Sequence, residues 1–396
     1  MERIGIFGGS FNPPHLGHLT AAAQAISELR LTKLLVIPAN LAPNKQASAE
    51  DAGAERRAQM LRLCFGSMLQ AEVCALELHR AGVSYTWETV AQLKREHPNA
   101  ELILLVGADA FLKLDQWVRA DEIFRNASIA ALHRGDRAED EMLAEQRKRL
   151  KKRGATVYLC RNQAIPLSST DVRRLLALRA AHEVLSPAVE AYIRENGLYG
   201  TGESYRNLPL PALEKTVVRL LNERRVAHVL GCRDAAVALA RRYGESEVDA
   251  ARAALLHDIT KALDGPLQLN LCRAYGVRLD DFSARNVKTL HALTGAMAAQ
   301  EVFGENPAVV SAIRSHTTGK ANMTTLEKIL YIADYIEPSR DFPGVDKLRR
   351  RTAKSLDGGV LLGLQMTMEQ LNGKKAEISP ESLEAIDFLT NKERKN

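Results

Sequence analysis

No apolar run in this chain of 396 residues is long enough to cross a membrane, and no secretory leader precedes the first apolar segment at 3–9. Both absences set the expectation of a cytoplasmic protein with no membrane partner. Cysteine is sparse and scattered: Cys64, Cys74, Cys160, Cys232 and Cys272 form no CxxC pair, which points to free thiols in a reducing compartment. Aromatics reach only 5%, and there is neither an internal repeat nor a low-complexity tract. The net charge of +6 is spread over both halves, with one dense basic run, RKRLKKR at 147–153. That run reads as the solvated face of a helix, so nucleic acid is not expected as a partner, and anionic small molecules account for the remaining bias. A hydrophobic content of 46% leaves ample core material. The length favours two domains.

The first half alternates between short apolar strands and helical patterns. Strands are expected at 3–9, 33–39, 72–78, 102–107, 128–133 and 156–159, and helices at 16–29, 54–69, 86–96, 139–152, 170–181 and 187–195. Fully apolar strands alternating with helices predict an α/β doubly wound parallel sheet. Residues 197–211, GLYGTGESYRNLPLP, carry Gly, Pro and polar residues without periodicity and read as a linker. Helical periodicity then dominates from 214 to 389, which predicts an all-α domain. The expected boundaries are 1–200, a linker at 201–212, and 213–396.

Two stretches carry chemistry. GGSFNPPHLGH at 8–18 follows the first strand and opens the first helix. Gly8 and Gly9 allow close approach of a ligand to the backbone, and the helix N-terminus presents amide groups to an anion. His15 and His18 are three apart and reach the same side, while Ser10 and Asn12 add neutral donors. The second stretch is a set rather than a run. Of ten histidines, His228, His257, His291 and His316 fall in separate helical segments, with Asp258 beside His257 in LLHDITK and Asp334 further on. Imidazoles and carboxylates converging from different elements make a metal site, and a contiguous His-Asp pair is hard to explain as core packing. Two adjacent metals can activate water and clamp a phosphate. His79 and His182 fit neither pattern and are read as structural.

The first stretch resembles the (H/T)xGH nucleotidylyltransferase superfamily and, within it, the bacterial nicotinate mononucleotide adenylyltransferases. The similarity runs over about 1–198 and includes the lysine of segment 40–45, Arg57, SYTWETV at 84–90, GADAFLKLDQW at 107–117 and LSSTDVR at 167–173. It implies adenylyl transfer from ATP, escorted by Mg²⁺, to nicotinate mononucleotide. His15, His18, Lys45 and Arg173 then act on the phosphates. Gly8, Gly9, Ser10, Phe11, Asn12, Gly107, Asp109, Ser168, Ser169 and Thr170 bind ATP, Asp109 at the ribose. Ser84, Tyr85, Thr86 and Trp117 hold the nicotinate nucleotide. Trp117 fits ordinary core packing as well, and Ser169 or Thr170 fits a plain helix cap. Where the family often has Pro-Pro-His-Lys this chain has Ala42-Pro43-Asn44-Lys45, so no role is assigned at position 44. Another adenylyltransferase, such as the phosphopantetheine enzyme, is the alternative, disfavoured by SYTWETV and Trp117.

The second stretch, with RRVAHVLG, HALTGA, IRSHTTG and LEKILYIADYIEPSRDFPGV around it, resembles the HD superfamily and especially its symmetrical diadenosine tetraphosphate hydrolases. The resemblance implies two divalent metals. His228, His257, Asp258 and Asp334 would hold one, His291 and His316 would complete the second, and Asp258 would bridge. The mixed donors suit iron, manganese or similar ions. Lys261 is expected near a phosphate or leaving group, and Arg340 and Thr317 are candidates for substrate contact, Arg340 being equally compatible with an ordinary surface residue. A different HD nucleotidase, an alarmone hydrolase, or a non-catalytic nucleotide sensor are the alternatives for this half. The expected partners are ATP, nicotinate mononucleotide and a dinucleoside polyphosphate, and a homo-oligomer is left open.

Overall fold

The computed structural model describes residues 1–40, 51–80, 82–133, 137–161 and 165–394. The chain divides into two compact units, Met1–Gly202 and Glu203–Asn396.

The first unit is built on six parallel strands: β1 (Arg3–Gly9), β2 (Lys33–Pro38), β3 (Ala71–Val73), β4 (Glu101–Gly107), β5 (Ser128–Leu132) and β6 (Val157–Cys160). Their order across the sheet is β3-β2-β1-β4-β5-β6. The register sets Ile4 beside Lys33 on one side and Leu102 on the other. Ile4, Ile6, Leu35, Ile37, Leu102 and Leu104 are buried, because helices cover both faces and leave no polar side to the strands. Gly5 in β1 leaves room for two leucines: a Cβ there would lie 2.6 Å from Leu31 Cδ1, which would have to shift.

The chain reverses its direction of winding between β1 and β4. At such a switch point the loops following the two strands part and leave a crevice at the carboxyl edge of the sheet. The ends of β1 and β4, at Gly9 and Gly107, carry the two loops on which most of the expected nucleotide-binding residues lie.

Several elements differ in length from expectation. The helix at 54–69 ends at Phe65, and β3 is three residues long where a seven-residue strand was expected. Ala75 and Glu77 carbonyls accept turn hydrogen bonds from residues 78–80, which removes them from the sheet.

The second unit has helices and no strand among its described residues. Side-chain caps explain where its helices start. Asn222, Ser246, Asp264, Asp280, Asn306, Thr324 and Ser355 each accept a backbone amide at a helix N-terminus; such a cap contributes about 1 kcal/mol. Thr324 and Glu327 form a reciprocal capping box. Helix Thr325–Ile336 is the spine of the unit, with Ile329, Leu330, Tyr331, Ile332 and Ala333 buried in succession.

The segment expected as a linker is mostly exposed but is tied down at a few points. Tyr205 is buried and stacks on Phe303 at 5.8 Å, Asn207 N donates to Phe303 O, and Arg252 holds Leu208 O at 2.8 Å. One aromatic anchor and three hydrogen bonds hold residues 205–208 against the helical unit.

Candidate active sites

In the first unit, residues 10–13 run from β1 to helix Leu16–Leu29 and are tied down from several directions. The buried Arg57 guanidinium donates to Ser10 O at 2.8 Å and Asn40 O at 3.2 Å. Arg173 donates to Asn12 O at 2.8 Å, and Ser169 Oγ to Pro13 O at 2.8 Å. Tyr199 donates its hydroxyl to Asn12 Oδ1 at 2.7 Å.

His15 and His18 meet at the start of that helix, with ring centroids 3.7 Å apart. His18 Nδ1 accepts from His15 N at 3.2 Å. Burial, and then the neighbouring His18, drive His15 well below the ordinary histidine pKa, so it is neutral at pH 7. Phe11 packs edge-on against His18 at 4.9 Å, which makes it a support for the histidine. A Cβ built on Gly8 or on Gly107 would meet nothing within 4 Å, so both strand ends face open space. Asp109 stands exposed on the first turn after β4.

Ser168, Ser169, Thr170 and Arg173 gather at the start of helix Ser169–Ala177. The cap there is Ser168, which accepts from Asp171 N at 3.1 Å, and neither Ser169 nor Thr170 plays that part. Ser84 is buried and accepts from Asn40 N at 3.2 Å, linking the end of β2 to Tyr85 and Thr86 at the start of helix Thr86–Glu96. Trp117 is half-buried against the apolar layer that also receives Trp87. Lys45 lies outside the described residues.

In the second unit the six expected metal ligands converge. His228 comes from helix Glu223–Tyr243, His257 and Asp258 from the end of helix Glu247–Leu256, and His291 from helix Leu290–Ala298. His316 ends helix Pro307–Ser315, and Asp334 lies on the spine helix. Asp258 is central. Its Oδ2 lies 3.5 Å from His257 Nε2 and 3.6 Å from His228 Nε2, and its Oδ1 lies 3.5 Å from His291 Nε2 and 3.9 Å from His316 Nε2. Asp334 Oδ1 lies 3.1 Å from His228 Nε2 and 3.9 Å from His257 Nε2. One carboxylate thus presents a separate oxygen to each of two histidine pairs.

The far nitrogen of each ring is engaged behind the centre. His257 Nδ1 donates to Ala254 O at 2.7 Å, His316 Nδ1 to Ile313 O at 2.7 Å and His291 Nδ1 to Lys288 O at 2.9 Å. His228 Nδ1 meets Glu337 Oε1 at 3.1 Å. In a neutral ring a bonded Nδ1–H leaves the Nε2 lone pair directed inward, as in His291 and His316, the outer-shell pattern of metal-binding histidines. Nε2 of His257 and Nε2 of His316 are buried without a hydrogen-bond partner. Buried acceptors facing acceptors are costly unless a cation lies between them, so this donor set fits a metal.

Three basic groups rim the centre. Arg225 Nη2 contacts Asp258 Oδ2 at 2.6 Å, Arg340 Nη2 contacts Asp334 Oδ1 at 2.5 Å, and Lys261 Nζ lies 2.9 Å from His291 Nε2. Arg340 is therefore part of the site and not an ordinary surface residue. Burial lowers the Lys261 pKa. Burial pushes His291 down to about 3 and His316 down to about 4, aided in each case by a neighbouring histidine. Asp258, against the penalty of burial, is held down to about 2 by His257 and His316. The acids are thus charged and these two imidazoles neutral, as ligands must be.

Arg225 and Glu337 escaped the sequence reading. Each lies three residues from a ligand, His228 and Asp334 respectively, and so shares a helix face or its immediate continuation with it. That spacing was the available signal.

Each half of the chain matches a known family. The cytidylyltransferase-like family model matches residues 6–175 and the HD domain model residues 225–339. A probable nicotinate-nucleotide adenylyltransferase of Gemmatimonas aurantiaca is 35% identical over 198 residues, covering 50% of this chain and 92% of its own length. A symmetrical bis(5'-nucleosyl)-tetraphosphatase of Halalkalibacterium halodurans is 38% identical over 170 residues, covering 43% of this chain and 90% of its own. A crystal structure described as a predicted HD superfamily hydrolase involved in NAD metabolism, from Clostridium acetobutylicum, is 37% identical with a TM-score of 0.45, covering 47% of this chain and 98% of that one. No helix among the described residues is long and apolar enough to cross a membrane. By its first half the chain belongs to the nicotinate-nucleotide adenylyltransferase family, and by its second to the HD-domain family that includes the symmetrical tetraphosphatases.

Proposed function

We propose that the chain is a bifunctional enzyme. The first unit transfers an adenylyl group from ATP to nicotinate mononucleotide, and the second hydrolyses diadenosine tetraphosphate symmetrically to ADP.

The paired His15 and His18 at the switch-point crevice carry the first assignment. A phosphate oxygen of the mononucleotide attacks the α-phosphorus of ATP, the bond from that phosphorus to the α,β-bridging oxygen breaks, and pyrophosphate leaves with Mg²⁺. No covalent intermediate on the protein is required, so placement and charge stabilisation supply the catalysis. His15 and His18 face the reacting phosphates, joined by Lys45 and Arg173. The amides of Gly8, Gly9, Ser10, Phe11 and Asn12, the end of β4 at Gly107 and Asp109, and Ser168, Ser169 and Thr170 receive the rest of ATP. Ser84, Tyr85, Thr86 and Trp117 receive the nicotinate nucleotide.

The shared carboxylate of Asp258 carries the second. His228, His257, Asp258 and Asp334 would hold one divalent ion, and His291 and His316 with Asp258 the other; mixed imidazole and carboxylate donors favour iron or manganese. Such a pair supplies a hydroxide at neutral pH and holds the scissile phosphate. Arg225, Arg340 and Lys261 orient the phosphate chain and offset charge on the leaving group. Attack at a β-phosphorus cleaves the chain in the middle.

The deciding experiment follows both reactions chromatographically with metal-loaded protein. Formation of nicotinate adenine dinucleotide, and of ADP alone from diadenosine tetraphosphate, is expected. ATP plus AMP as products would overturn the symmetrical assignment, and a preference for nicotinamide mononucleotide would overturn the acid specificity.

A further inference from the structure

A second surface of the helical unit carries charge that neither centre uses. A groove of about 390 Å³ lies between helix Val345–Lys354, residues 358–365 of helix Leu356–Gly373 and the end of helix Pro380–Glu393. Helix Val345–Lys354 has two distinct sides. On one, the Arg349 guanidinium donates to Ile336 O at 3.1 Å, Glu337 O at 3.1 Å and Arg340 O at 3.0 Å, fixing the helix to the loop beside the metal-ligand cluster. Lys347, Arg350, Arg351 and Lys354 lie about 100–200° round the helix from Arg349 and line the groove instead.

These four cations repeat at i, i+3, i+4 and i+7, over about 10 Å of helix. Arg351 is paired with Glu393 at 2.5 Å. Lys347, Arg350 and Lys354 are exposed, and among the described residues their side chains have neither an ion pair nor a hydrogen bond. Arg242, from helix Glu223–Tyr243, donates to Ala353 O at 2.5 Å and adds a further positive group at the Lys354 end. The fold accounts for only part of this charge. Arg351 and Lys354, in the last turn, complement the helix dipole, but Lys347 and Arg350 precede that turn. Like charges three and four residues apart destabilise a helix, so the stripe costs the chain stability.

The floor is of another kind: Leu361 is buried and Leu362 half-buried. A nucleic-acid backbone would use the cations and leave the leucines idle, and no aromatic side chain lines the groove to stack a base. A flat lipid surface does not reach a recessed floor. An acidic amphipathic helix engages both parts, with apolar side chains on the leucines and flanking carboxylates opposite cations set at its own repeat. We propose that this groove docks an acidic amphipathic helix of a partner protein, read by Lys347, Arg350 and Lys354 and seated on Leu361 and Leu362. The surface is separate from both centres, and the proposal does not depend on the reaction of either.

The test uses the full chain and a fluorescein-labelled synthetic helix of leucine and glutamate, followed by fluorescence anisotropy. Binding in the micromolar range is expected, weakening about tenfold or more when glutamine replaces every glutamate, and falling as salt is raised. Lys347→Glu, Arg350→Glu and Lys354→Glu combined should weaken it about tenfold or more with the thermal midpoint retained, since all three side chains are exposed. The milder pair Lys347→Gln and Arg350→Gln should weaken it about threefold and serves if the triple variant does not fold. Leu362→Gln should also weaken it about threefold while leaving the salt dependence unchanged, which separates the apolar seat from bulk attraction. Lys151→Glu with Lys152→Glu, in the exposed basic run of the first unit, should change nothing. No binding to the wild type at about 100 μM peptide, equal affinity for the glutamine peptide, or an equal loss in the Lys151 and Lys152 pair would overturn the proposal. Tighter binding of a labelled oligothymidine, lost in the triple variant, would overturn it in favour of a nucleic-acid surface. Dimerisation lost in that variant, without peptide binding, would overturn it in favour of a second copy of this chain.

Discussion

Glu337→Gln isolates the support behind the metal-ligand cluster without removing a ligand. The Glu337 carboxylate is buried and accepts from Ser339 N at 2.7 Å, Ser339 Oγ at 2.5 Å and His228 Nδ1 at 3.1 Å. Burial pushes the carboxyl up, yet the bonds from Ser339 and His228 bring it below the ordinary glutamate pKa, so it is ionised in the folded protein. Its charge raises the basicity of the His228 ring and fixes the tautomer with Nε2 facing inward. Gly231 leaves room for it, since a Cβ there would lie 2.7 Å from Glu337 Oε2. Glutamine keeps the shape and removes the charge. A charge-assisted bond becoming a neutral one loses about 1–2 kcal/mol, or about tenfold in affinity at a site where His228 is one ligand among several. Metal affinity, measured by competition against a chromophoric chelator, should therefore weaken about tenfold. Adenylyl transfer, measured on the same sample, should not move, because its residues lie in the other unit. Unchanged metal affinity with an intact fold would refute the argument that Glu337 tunes His228.

Removing the shared carboxylate with Asp258→Ala should abolish hydrolysis and lower bound metal together, as read by metal analysis beside the product assay; full hydrolysis in that variant would eliminate the two-ion reading. His18→Ala should leave the fold intact by circular dichroism and lower adenylyl-transfer turnover about a hundredfold or more. Tyr199→Phe removes only the hydroxyl that holds Asn12 Oδ1, about 1 kcal/mol, and should lower kcat of adenylyl transfer about fivefold with little change in hydrolysis. In chelated protein, stability should fall as pH drops below 6.5. An unfolded histidine is protonated there, whereas His291 and His316 stay neutral down to about 3 and about 4. His228, whose pKa is raised despite burial through its bonds to Asp334 and Glu337, acts oppositely, its contribution being fully present below 6.5 and fading as pH rises. Denaturant midpoints between pH 7 and 4 test this, and a flat profile would contradict the signs.

Much of the sheet was legible because strands such as β4, LILLVG at 102–107, are buried on both faces and carry no alternation to misread. β3 was overread, since the residues after Val73 turn away although their composition still suits a strand. The six metal-ligand candidates could be collected from residue type alone, because histidine and aspartate inside apolar helices have few other reasons to be there. Their geometry could not: that Asp258 directs one oxygen to His228 and His257 and the other to His291 and His316 depends on how four helices cross. Arg225 and Glu337 went unread because arginine and glutamate are ordinary on helix surfaces, and only the crossing makes them interior. The Tyr205–Phe303 stack was invisible for the same reason, since a lone tyrosine in a polar stretch does not announce its partner.

The guanidinium contacts at the second centre have a thermodynamic consequence. Asp258 and Asp334 are already neutralised by the chain itself, through Arg225 at 2.6 Å and Arg340 at 2.5 Å. A divalent ion that binds these oxygens does not merely arrive; it exchanges with two tethered cations. Once displaced, the two guanidinium groups remain attached a few bonds away and carry unspent positive charge at the mouth of the centre. An anion that takes up that charge removes the competitor for the carboxylates, and the divalent ion binds more tightly. By linkage the converse holds to the same factor. A metal and an anionic ligand would therefore be coupled through a pair of arginines that need touch both only in turn, and this half of the molecule should hold a divalent ion most firmly when it is also holding phosphate.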